Sequence, residues 1–146
     1  MKTLLLILLA GFVLSSCDSK RLYDENFIIA KNSWKAGNKL KFDVVIPSNT
    51  QSYNVYLKIR NGPDYPYSNL FLFLNTVMPD GKISRDTLEL TLADYDGRWL
   101  GSGIGSVKFS KFMLQKDVRF RQAGKYSFVL EQAMRVSDLK GIRDVG

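Results

Sequence analysis

This sequence predicts an all-β chain, a single antiparallel β-sandwich domain of jelly-roll-like form, on three observations. Apolar and polar residues alternate with a period of two in several separate stretches, as in strands with one face on a core. Gly, Pro and Asn clusters punctuate those stretches. No stretch holds a helical period over more than about 11 residues.

The elements follow in order. Tyr23 and Phe27-Ile28-Ile29 begin the fold after a polar segment, and Ala36-Gly37-Asn38 marks a turn. Residues 40–46 alternate imperfectly and stop at Pro47, which lacks a ladder donor. Residues 53–60 give the clearest strand, with Tyr53, Val55, Leu57 and Ile59 on one face and Asn54, Tyr56, Lys58 and Arg60 on the other. Gly62, Pro63 and Pro66 break it. Leu70-Phe71-Leu72-Phe73-Leu74 is apolar on both faces, so a central strand covered on both sides is expected. Pro79-Asp80-Gly81 is a turn, after which Leu88, Leu90 and Leu92 point inward. Residues 106–112 and 118–120 read as two weaker strands, residues 126–131 as a further strand, and residues 132–139 as a short helical turn. Leu57, Ile59, Leu88, Leu90 and Phe128 are therefore expected in the core, with Lys58 and Glu89 outside it.

The N-terminus carries an address. Lys2, an apolar run over residues 4–14 and the small residues before Cys17 form a secretory signal peptide. The run falls short of the ~20 residues that span a bilayer. Leu14-Ser15-Ser16-Cys17 looks like a bacterial lipobox, which makes residues 1–16 a lipoprotein signal, Cys17 the acylated residue, 17–26 a tether and 27–146 the domain. Several acyl chains anchor stably where one does not. The expected location is the cell envelope, held to a membrane by lipid, with the choice of membrane open.

Composition narrows the chemistry. The 146 residues are 45% hydrophobic and 24% charged, ordinary for one globular domain. The net charge of +7 is spread along the sequence without a Lys/Arg block, so a solvated basic surface is expected. Export argues against nucleic acid as a partner. With no His and one Cys, no intrachain disulfide, His-based nucleophile or His/Cys zinc site can form. No cofactor is expected. Asp94 and Asp96 before Gly97 resemble the opening of a calcium loop, but Trp99-Leu100 stands where further oxygen ligands belong, so a polar turn is the reading and no metal is expected. Gly101, Gly103 and Gly105 lack the βαβ context of a dinucleotide site and serve a tight turn or bulge. Tyr65 and Tyr67 either form an aromatic platform or cap the core. Trp99 either plugs the core or docks a partner, together with Gly101, Gly103 and the Tyr65-Pro66-Tyr67 loop.

Arg60-Asn61, Asp64-Tyr65-Pro66-Tyr67-Ser68-Asn69-Leu70, Pro79-Asp80-Gly81, Asp86-Thr87-Leu88, Leu92-Ala93-Asp94, Gly97-Arg98-Trp99-Leu100-Gly101, Gln132-Ala133-Met134-Arg135 and Asp144-Val145-Gly146 together resemble the gliding-motility lipoprotein GldH family of the Bacteroidota. The resemblance implies an envelope lipoprotein needed for gliding, linked to the type IX secretion machinery, acting by binding or assembly and not as an enzyme. Its partners would be other gliding or secretion proteins of the envelope. Members of that family run past the Val-Gly pair into a closing strand, so either truncation after Gly146 or an open sheet edge is expected. The rival reading is a glycan-binding module, or a glycan-processing one using carboxylates.

Overall fold

Where apolar residues alternate, the chain is extended. The computed structural model describes residues 21–146, so Cys17 and the signal segment lie outside the described residues. Ten strands follow: β1 (Phe27–Ile28), β2 (Ser33–Lys35), β3 (Leu40–Ile46), β4 (Tyr53–Asn61), β5 (Asn69–Val77), β6 (Ile83–Thr91), β7 (Lys108–Val118), β8 (Gly124–Gln132), β9 (Asp138–Lys140) and β10 (Ile142–Val145). They form one sheet of order β1-β10-β4-β7, a second of order β3-β8-β5-β6, and a separate β2-β9 pair. All the pairings are antiparallel.

Strand β3 shows the logic most plainly. Leu40, Phe42, Val44 and Ile46 are buried while Lys41, Asp43 and Val45 face solvent. Leu57 and Ile59 of β4 and Ile142 and Val145 of β10 meet Leu70, Leu72, Leu90 and Leu130 of the other sheet in one apolar core. Trp34 and Leu139, both fully buried, close one end of it. The Trp34 indole N–H donates to the Asn38 carbonyl at 2.8 Å, so burying the ring leaves no donor stranded. A second cluster of Val44, Ile46 and Tyr126, with Tyr23, Tyr53 and Phe120 packed on it, fills the other end.

The sandwich thus has two distinct ends. At one lie the β3–β4, β5–β6 and β7–β8 loops, since Ile46 pairs with Gly124 and Tyr53 with Val118. At the other lie the β4–β5 and β6–β7 connections and the β2-β9 pair. The N-terminal segment runs back from β1 toward the first end. Asp24 pairs with Lys58 partway along β4, and Tyr23 packs into the second cluster. Residues 21–26, expected as tether, are therefore bonded to the domain, with Asn26 donating to Asp144 at 3.1 Å.

Several expectations change. Residues 106–120 contain one continuous strand, β7, in place of two short ones. Its alternation is masked because it is an edge strand and its register shifts twice opposite residues 53–56. Residues 132–139 hold bends and β9 instead of a helical turn, for a reason given below. Strand β5 is central but covered fully on one face only: Phe71 and Phe73 are half-buried. Leu88 and Phe128 are also half-buried, whereas Leu57, Ile59 and Leu90 are buried as expected. Residues 142–145 are themselves an inner strand, flanked by β1 and β4. Gly146 extends it, donating to the Lys58 carbonyl (2.9 Å) and accepting from the Lys58 N–H (2.7 Å).

The alternation in β3 gives a direct check. Phe42→Ala should lower the unfolding free energy by about 3–5 kcal/mol. Val45→Ala, two-thirds exposed three residues on, should change it by no more than ~0.5 kcal/mol. Denaturant unfolding of both variants measures this, and similar losses would mean the register is wrong.

Candidate functional site

The end away from the N-terminal segment gathers the aromatic residues singled out in the sequence. After β4 the chain turns at Gly62, where the Tyr65 N–H donates to the Gly62 carbonyl (3.2 Å). Tyr65 then folds inward, 3% exposed, and its hydroxyl donates to the Asn69 carbonyl at 2.7 Å. Tyr67 stacks edge-on against it with centroids 5.8 Å apart, and Trp99 lies tilted 6.3 Å away. Trp99 is half-buried and packed on the core. The structure thus brings Tyr65, Tyr67 and Trp99 into one cluster: Tyr65 supports from beneath, and Tyr67 keeps 36% of its surface exposed.

The Trp99 segment is held by short-range bonds. The Asp94 carboxylate accepts the N–H groups of Asp96 (3.0 Å) and Arg98 (2.8 Å) and the Arg98 guanidinium (2.9 Å). Asp96 accepts from Arg98 as well (3.2 Å). The pair that resembled a calcium loop is a turn closed by its own arginine, and the Arg98 N–H holds the Asp94 carboxyl below its ordinary range. Trp99 is bridged to Ala93, and the Leu100 N–H donates to the Leu92 carbonyl at 2.9 Å. Gly101 then passes so close to β7 that a Cβ would stand 2.8 Å from Ser110 Oγ and 2.9 Å from the Phe109 carbonyl oxygen. Only glycine fits there. Gly103, at φ 129°, takes a backbone conformation that side chains disfavour. Both glycines shape the segment, which leaves Tyr95, Leu100 and Ile104 standing out in solvent.

Beside Tyr67 lies a groove that sequence reading missed. Gln132, 5% exposed, uses its side-chain amide twice: it donates to the Val136 carbonyl (2.8 Å) and accepts from the Met134 N–H (2.9 Å). These bonds fold residues 133–136 into a loop over β5, where the Ala133 N–H donates to the Phe71 carbonyl at 2.8 Å. The backbone is thereby diverted from helix to loop. Tyr67, Phe71 and Phe73 form the floor and one side, and Met134 and Val136 the other, of an open groove of about 470 Å³. The Arg85 guanidinium lies 4.3 Å over the Phe73 ring. The signal was present in the sequence as the outward pair Phe71 and Phe73 of an apolar run.

Among the described residues no group of three or more acidic or Cys side chains could hold a metal. Among the same described residues no helix is long and apolar enough to cross a membrane. The arrangement offers apolar, aromatic contact and backbone shape, the chemistry of recognition.

Burial pushes the Tyr65 hydroxyl well above the usual tyrosine range, with the Tyr67 hydroxyl adding to it. A raised folded-state value stabilises the fold below the unfolded tyrosine pKa and loses that stability as pH rises past it. Unfolding free energy should therefore fall above about pH 10. Tyr65→Phe should cost about 1–3 kcal/mol at neutral pH, because the Asn69 carbonyl loses its donor. It should also flatten the alkaline decline, leaving the part due to Tyr23, which burial pushes up to about 12. An unchanged alkaline slope in Tyr65→Phe would contradict this placement.

A family model described as GldH lipoprotein matches residues 21–146. The chain is similar to a gliding motility lipoprotein GldH homolog of Christiangramia forsetii, 41% identical over 139 residues that cover 90% of this chain and 85% of the relative. It is also similar to the gliding motility lipoprotein GldH of Flavobacterium johnsoniae, 36% identical over 148 residues that cover 97% of this chain and 91% of the relative. No solved structure matches. With a family match across all the described residues and two relatives above one-third identity over nearly their whole length, the chain belongs to the GldH lipoprotein family.

Proposed function

We propose that the protein is a non-catalytic docking component of the gliding apparatus, anchored in the cell envelope by lipid on Cys17 and linked to the type IX secretion machinery. The observation that carries the binding role is the groove of Tyr67, Phe71 and Phe73, walled by a loop that Gln132 pins in place. A concave surface lined by aromatic and apolar side chains with one wall fixed in place is the form in which proteins commonly receive a partner's side chain. Tyr95, Leu100 and Ile104 at the same end extend the apolar surface. A protein partner suits the groove better than a sugar-processing reaction, because Asp94 and Asp96 are both engaged by Arg98 and Glu89 accepts from Asn69 at 3.0 Å.

Combining Tyr67→Ser with Phe73→Gln should leave the thermal midpoint within a few degrees of wild type, since both side chains are partly exposed. Cells carrying it should fail to glide. Normal gliding by cells that make the folded double variant would sink the docking role. For the anchor, Cys17→Ser should abolish incorporation of a fatty-acid analogue, and persistent labelling would place the lipid elsewhere.

A further inference from the structure

The excess positive charge of this protein sits in one place. Residues 108–125, which are β7 and the loop into β8, hold Lys108, Lys111, Lys116, Arg119, Arg121 and Lys125 against the single carboxylate of Asp117. The other described residues nearly balance, with thirteen Lys and Arg against twelve Asp and Glu. No Lys/Arg block is present, as expected, yet one strand and one loop hold more than their share of the cations. Some are already engaged. Lys108 Nζ donates to the Gly103 carbonyl (3.1 Å), Lys111 lies 4.0 Å over the Tyr56 ring, and Lys125 pairs with Asp43 at 2.8 Å. Lys116, Arg119 and Arg121 are exposed and make no ion pair with any described residue. Lysines along an edge strand discourage edge-to-edge pairing. That accounts for cations within β7 and leaves Arg119 and Arg121, beyond its end, without a structural task.

The loop presenting those arginines is rigidly built. Phe120, between them, turns inward to pack on Tyr126 (4.8 Å between centroids) and Tyr53 (5.8 Å). The Tyr126 hydroxyl donates to the Gln122 carbonyl at 3.0 Å. This is also the end where the chain enters, because Tyr23 packs into the same cluster as Tyr53, Phe120 and Tyr126. Arg21 follows Cys17 by four residues, a reach of at most ~14 Å for extended chain.

From this geometry we infer that the end bearing Lys116, Arg119 and Arg121 rests on the anionic surface of the membrane that holds the anchor. The inference depends on the lipid-anchor reading of Cys17. A short tether holds this end within reach of the lipid surface, where the negative potential acts over about 8–10 Å at moderate salt. Each cation brought there strengthens the attachment by roughly fivefold.

The test uses the full lipidated protein in vesicles of phosphatidylcholine alone or of phosphatidylcholine rich in phosphatidylglycerol. An amine-reactive reagent and mass spectrometry read the modification rate at each lysine. At low salt Lys116 should react at least about fivefold more slowly on the anionic vesicles, while Lys35 and Lys140, exposed at the opposite end, react equally on both. Added salt should remove the protection, as should Arg119→Glu combined with Arg121→Glu. Equal Lys116 rates on both vesicles would overturn the proposal. Protection found only in native envelopes would assign the patch to an acidic protein and overturn it too. A chain that washes off both vesicles would refute the anchor itself, and this orientation with it.

Discussion

Three distant parts of the chain meet at one buried carboxylate. Asp144, 3% exposed, accepts from Arg60 Nε at 2.6 Å and from Asn26 Nδ2 at 3.1 Å. A buried carboxylate is tolerable only while such donors are present, and removing one partner leaves an uncompensated charge. The bonds lock β10 between β1 and β4, so they decide which end of the sandwich the N-terminal segment leaves from. Asp24 on Lys58 continues the same path, with the Lys58 ammonium, aided by Arg21, holding the Asp24 carboxyl below its ordinary range.

Fixing that exit gives the molecule a direction. The entry end carries the second apolar cluster and the basic β7–β8 loop. The opposite end carries Trp34 and Leu139 as its plug, the aromatic trio of Tyr65, Tyr67 and Trp99, and the groove beside Tyr67. A protein tethered at one end and apolar at the other suits a task of presenting a surface away from its membrane.

Much of this was legible in the sequence where local pattern decides structure. The period of two in residues 40–46 and 53–60 predicted which side chains are buried, because a pleated strand has only two faces. The Met78–Lys82 turn followed from Pro and Gly placement. What local pattern does not encode is pairing between distant segments. The insertion of β10 beside β4 and the seating of residues 133–136 over β5 both depend on such pairing. Trp34 escaped notice because Ser33-Trp34-Lys35 is too short to show alternation. The sequence marks Tyr65 and Trp99 as candidates, but only the fold separates the supporting ring from Tyr67, which reaches solvent.

On this arrangement the two ends of the molecule face different surroundings. The most direct test places a photoreactive amino acid in living cells at position 67 in one strain and at position 121 in another. Irradiation should join position 67 to an envelope protein and position 121 to lipid. Lipid adducts at position 67 with protein adducts at position 121 would mean that the groove end, not the entry end, faces the membrane.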